Sequence, residues 1–214
     1  MSLSDAELAV VCGSHNGERK HVNAARNILE KIGAHESELY CGASWPALKK
    51  EQENHIRAKG EPLSIFHNCS GKHAGMLALC HFRKIASHHY WKFDHPVQES
   101  IRSVLADLSG VPAGNFASGT DGCGVPNYAL PLSAAARLFA HLADPSGLPE
   151  GRRKTIERIR KAMTGFPDMV AGTDRFDTAL MKATRGRILS KAGGEGVEAF
   201  AIPSLGIGGV VKLL

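Results

Sequence analysis

Apolar residues recur three and four positions apart along most of this chain, the spacing of helices with one buried face. Ser4 and Glu7 fit a capping box, so a short helix should follow, burying Leu8, Val10 and Val11 before Gly13 breaks it. Val22, Ala25, Leu29 and Ile32 predict a helix over 21–32, stopped by Gly33. The polar stretch 45–59 reads as an exposed helix or a mobile surface segment. Met76, Leu77, Leu79, Phe82 and Ile85 predict a helix over about 71–85. Another starts at His95-Pro96, since proline suits a first turn, and should bury Val97, Ile101, Val104, Leu105 and Leu108 before Gly110. Residues 111–126, rich in Gly, Pro, Asn and Asp, predict a long loop, and long loops in compact domains are usually functional or disordered. Two further helices are expected near 132–143 and 151–164.

After about Arg185 the runs 187–190, 197–202 and 207–214 read as strands separated by glycine turns. The expected fold class is therefore α+β: one domain over 1–214, helix-rich to 185, with a C-terminal antiparallel sheet over 186–214. The final run is an apolar strand with nothing after it, an open edge prone to aggregation unless something pairs with it. It reads as a cut, and the open edges leave room for a homodimer.

A chain of 214 residues buries about 70% of its unfolded surface without needing disulfides. No run approaches the roughly 20 apolar residues of a membrane-spanning helix. The start, Met1-Ser2-Leu3-Ser4-Asp5, lacks the basic opening and apolar run of a signal peptide. Five cysteines without paired spacing fit a reducing, cytoplasmic setting, where cysteine serves metal or chemistry. The net charge of +5 is concentrated at Arg152-Arg153-Lys154, Arg158, Arg160 and Lys161. On that helix Ile156, Ile159 and Met163 turn inward and leave the bases as a solvated face. No recognition motif accompanies them, so no nucleic-acid partner is expected.

Four clusters carry candidate chemistry. In Cys12-Gly13-Ser14-His15-Asn16-Gly17-Glu18 the glycines can expose a serine hydroxyl, but the pattern alone favours a turn in which Ser14 caps the next helix. Asn68-Cys69-Ser70-Gly71-Lys72-His73 sits at a predicted helix start, where a thiol pKa falls and a nucleophile or metal ligand results. It lacks the earlier glycine and the Ser/Thr of a phosphate-binding loop. Gly119-Thr120-Asp121-Gly122-Cys123-Gly124-Val125-Pro126 holds Asp121 and Cys123 in a rigid loop, or is an ordinary tight turn. In Ser190-Lys191-Ala192-Gly193-Gly194-Glu195-Gly196, glycines leave a substrate room beside a lysine, which otherwise serves as the edge charge of a hairpin. His88-His89 is adjacent in sequence, so the rings should diverge. Cys69 and Cys123 would suit zinc, with Lys72 as a third ligand if neutral.

Together these strings resemble the thermolabile, Rhizobium-type L-asparaginase family, often called the asparaginase II family. The matching motifs are His-Asn-Cys-Ser-Gly-Lys-His at 67–73, Asp-Gly-Cys-Gly-Val-Pro at 121–126, and Lys191 followed by Gly-Glu-Gly. Ser14-His15 with Glu18 and His21, His95-Pro96-Val97-Gln98, and Ala162-Met163 through Gly172 support them, in order along nearly the whole chain. The resemblance implies a fold like serine β-lactamases and glutaminases, and hydrolysis of L-asparagine to aspartate and ammonia. Ser14 and Lys191 match members of the family's two serine–lysine pairs. Cys69, Lys72 and Cys123 match its zinc ligands, and Asp121 and His73 match residues lining its substrate pocket. The family also carries an upstream Arg-Ser-x-x-Lys-Pro segment, and this sequence contains no Ser-x-x-Lys. The expectation is a domain lacking N- and C-terminal strands, with Ser14 and Lys191 left as members of separate pairs. The alternative is a catalytically inactive metal-binding or interaction module.

Overall fold

The computed structural model describes residues 2–213. Helix α1 (Asp5–Val11) opens with both halves of the capping box: Ser4 Oγ accepts the Glu7 amide at 3.3 Å, and Glu7 Oε2 accepts the Ser4 amide at 2.6 Å. Helix α2 (Arg19–Ile32) ends at Gly33, whose φ of +66° suits glycine. The polar stretch forms α3 (Lys49–Arg57), a surface helix without a buried residue. Helix α4 (Ser70–Arg83) packs against α1 and α2, and Val10, Ala25, Ile28, Leu29 and Leu77 form the centre of that core.

Helix α5 (Pro96–Ser109) is capped by His95, whose Nδ1 accepts the Val97 amide at 3.2 Å. Its expected buried stripe is only partly buried. Val97 is fully enclosed, but Val104 is 44% exposed, and Ile101, Leu105 and Leu108 line an open groove with Leu79 and Leu138. Only the first turn of α5 inserts into the core. The expected loop over 111–126 also differs: β1 (Ala117–Thr120) pairs antiparallel with β2 (Pro126–Ala129), Ala117 opposite Ala129 and Thr120 opposite Pro126. Every residue of β1 is exposed, so no apolar alternation marked it as a strand. The turn between them closes through the Asp121 amide to the Val125 carbonyl and the Gly124 amide to the Asp121 carbonyl, each 2.8 Å.

Helices α6 (Leu132–Ala143), α7 (Glu150–Gly165), α8 (Pro167–Val170) and α9 (Phe176–Ala183) lead into the sheet. The basic face of α7 is solvated and partly neutralised, Arg152 by Asp107, Lys154 by Glu150, and Arg158 and Lys161 by Asp5. Helix α9 had no sequence forecast. Strands β3 (Leu189–Gly193), β4 (Val197–Ile202) and β5 (Ile207–Lys212) form an antiparallel sheet in the order β3-β4-β5. Leu214, the end of the expected last strand, lies outside the described residues. Helix α6 covers β4 and β5, and α9 lies against β3. Among the described residues no helix is long and apolar enough to cross a membrane.

Gly208 sets the closeness of the α6–β5 contact, because a Cβ there would sit 2.0 Å from the Ala140 backbone nitrogen. Backbone cannot swing aside as a side chain can. Gly208→Ala should therefore destabilise the protein by about 2–3 kcal/mol, read as a lowered denaturation midpoint at unchanged m-value. An unchanged midpoint would show that α6 can lift from the sheet freely.

Candidate active site

The loop after α1 is stitched to α8 and to the turn before α4. The Ser14 amide donates to the Val170 carbonyl at 2.8 Å, and the His15 amide donates to the Asn68 carbonyl at 3.1 Å. Ser14 does not cap α2. Glu18 takes that position, and its amide donates to His21 Nδ1 at 3.0 Å. Ser14 Oγ instead lies 3.0 Å from Lys191 Nζ, projected from the middle of β3. The two residues expected in separate pairs thus contact each other.

His15, adjacent to Ser14 in sequence, is committed elsewhere. Its Nδ1 accepts the Gly17 amide at 3.1 Å, its Nε2 donates to Ser70 Oγ at 3.2 Å, and its ring stacks on His21. Burial, reinforced by His21 and His67, holds its pKa well below the ordinary histidine value. A neutral, doubly bonded imidazole leaves Lys191 as the base nearest the hydroxyl. Burial also pulls the Lys191 pKa below the usual lysine range, although Asp177, Cys69 and Glu198 oppose the shift and Arg175 adds to it.

Across the same cleft, Cys69 stands at the N-terminus of α4 and Cys123 in the β1–β2 turn. Their sulfurs and the Asp121 carboxylate lie within 4.8 Å of one another. Cys123 Sγ is 3.3 Å from Asp121 Oδ2, and Lys72 Nζ donates to that oxygen at 3.1 Å. The thiols behave as a unit. A hydrogen bond from Cys69 pulls the Cys123 pKa far down against burial, while the same bond and burial push Cys69 up. The titration of each thiol is therefore tied to the other. Burial works against the Lys72 ammonium, but Cys69, Cys123 and Asp121 hold its pKa above the lysine range.

His73 lies behind this cluster, fully buried and outside the cleft lining. The Tyr90 hydroxyl accepts the Tyr40 amide at 3.0 Å and meets His73 Nδ1 at 2.7 Å, so its own proton goes to that nitrogen. Nε2 makes no close hydrogen bond but is near enough to Cys123 to favour the thiolate. The geometry makes His73 a support for a sulfur and leaves the cleft wall to Asp121.

Ser14, Lys191, Cys69, Lys72, Asp121 and Cys123 all line one cleft of about 750 Å³. A second cleft, of about 410 Å³ between α2 and α3, has Arg19, Arg26, Asn54 and His55 on its walls but no hydroxyl, thiol or lysine amine. The chemistry therefore gathers in the first. Sequence reasoning missed Asp177, Ser190 and Glu198, which sit buried or half-buried beside Lys191. Only the Ser-Lys neighbours in sequence hinted at them. The His88 and His89 rings do not diverge: their centroids are 3.6 Å apart, because His89 adopts a left-handed φ of +60°.

One polar cleft thus brings a hydroxyl, a desolvated amine, two thiols and a carboxylate together. The sequence model of the L-asparaginase II family matches residues 1–214, and the chain belongs to that family of amidohydrolases. No curated protein matches the chain.

Proposed function

We propose that the protein hydrolyses the side-chain amide of L-asparagine, with Ser14 as nucleophile and Lys191 as its base. The observation that carries this reading is the 3.0 Å contact between Ser14 Oγ and a lysine amine whose pKa burial lowers. Neutral Lys191 accepts the serine proton as Oγ attacks the amide carbon, and the resulting ammonium returns it to the departing ammonia. An aspartyl ester on Ser14 remains. Lys191, again neutral, takes a proton from water as its oxygen attacks the ester, then gives that proton to the departing Ser14 Oγ, which releases aspartate and restores the free hydroxyl. In this reading Asp121, whose Oδ1 accepts the Gly122 amide at 2.8 Å, receives the substrate's ammonium group.

The donor set fits zinc: two sulfurs and a carboxylate lie within 4.8 Å, and the Cys123 pKa is pulled down towards the thiolate. Cys69 and Cys123 would hold the ion, with Asp121 or, after loss of its proton, Lys72 as a third donor. Bound there, zinc would supply Lewis-acid polarisation and tie the α4 start to the β1–β2 turn. A second reading, a catalytically silent zinc-holding module, rests on the Cys69, Asp121 and Cys123 donors alone. Stoichiometric zinc with no ammonia release would favour it.

The mechanism needs Lys191 as free base, so activity must fall as pH drops through its pKa. That acid limb should lie below the ordinary lysine range, with kcat/KM declining about tenfold per pH unit beneath it. Ammonia release from L-asparagine against pH measures it. Activity that is flat or rises towards low pH would exclude Lys191 as the base.

A further inference from the structure

Strand β3 presents Lys191 between two residues that reach the same buried carboxylate. Asp177, in the first turn of α9 and 2% exposed, accepts the Ala192 amide on Oδ1 at 2.6 Å. Ser190, fully buried, lies 3.5 Å from that oxygen and donates to Glu198 Oε1 at 2.5 Å. Among the described residues β3 is an edge strand, so the Ala192 amide meets no neighbouring strand on that side. Asp177 supplies the acceptor that a further strand would otherwise provide.

Glu198 reaches Asp177 from β4. Burial raises its pKa, the Ser190 hydrogen bond opposes the rise, and the Asp177 charge adds to it. The other groups bearing on Lys191 are Ser14 and Cys12 from the α1 end, Cys69 at the start of α4, and Arg175 before α9. Among these, Asp177 is the one that grips the backbone beside the lysine.

We propose that Asp177 is a positioning residue for Lys191, clamping β3 through the Ala192 amide so that the lysine amine stays on Ser14 Oγ. This rests on reading Ser14 and Lys191 as the reacting pair, but placement of the lysine can be measured without turnover. Displacing a reacting group by about 1 Å can cost about 100-fold in rate. Asp177→Ala should therefore lower kcat for asparagine about 10- to 100-fold, with KM within about twofold.

Acetylation of Lys191 by acetic anhydride, read by peptide mass spectrometry, should change severalfold relative to Lys20 and Lys154. Asp177→Asn keeps an oxygen for the Ala192 amide and should restore both readouts most of the way. Ala192→Pro removes the donor from the strand side, a change an edge strand tolerates, and should reproduce the alanine phenotype where Asp177→Ala yields no folded protein. Unchanged Lys191 acetylation in Asp177→Ala or Ala192→Pro overturns the clamp. A wild-type protein that releases no ammonia, yet whose Lys191 acetylation responds to these changes, overturns the substrate reading and leaves the clamp standing.

Discussion

Ser14→Ala should reduce kcat/KM for L-asparagine about a thousandfold or more, and Lys191→Met should do the same. Methionine preserves most of the lysine volume and its apolar stem, so the fold around β3 should survive the change. The hydroxyl and the amine act as one device, since the serine is a poor nucleophile until the lysine takes its proton. The double variant should therefore be no worse than either single one, because each removes the whole device. Ammonia release and a thermal midpoint measured on all three proteins check this. Losses that multiply would mean that the two side chains act independently, and a Ser14→Ala protein with near-normal turnover would move the nucleophile elsewhere.

Replacing both Cys69 and Cys123 by alanine should abolish stoichiometric zinc. The loss of affinity should exceed the roughly 10- to 100-fold that follows removal of an outer-shell partner, because these sulfurs are themselves the proposed ligands. The reason is chemical: the Cys123 pKa is pulled down towards the thiolate that zinc favours, whereas Lys72 must shed a tightly held proton first. Competition against a chromophoric chelator measures the affinity. Undiminished zinc in the double variant would defeat the assignment.

Helices α1, α2, α4 and α5 were legible because their apolar residues follow one period, and three of them carry local signals at their ends, the Ser4–Glu7 box and the Gly33 and Gly110 stops. The β1–β2 hairpin was not, since an exposed four-residue strand has no buried face to pattern. Cys69, Asp121 and Cys123 could be singled out from glycine-bounded loops, but their convergence depends on the β1–β2 turn meeting the start of α4. Ser14 looked like a helix cap because its partner stands on the far strand β3, and local sequence cannot report a contact across that separation. Asp177 gave no signal at all. It is one aspartate in a short helix, and its role exists only through the Ala192 amide of an edge strand.

Rapid acid quenching of the enzyme during turnover of L-asparagine, followed by peptide mass mapping, tests the central claim most directly. An aspartyl ester on Ser14, absent from Lys191→Met protein, is the predicted result. Turnover with no acylated Ser14 peptide, or with the ester on another side chain, would contradict it.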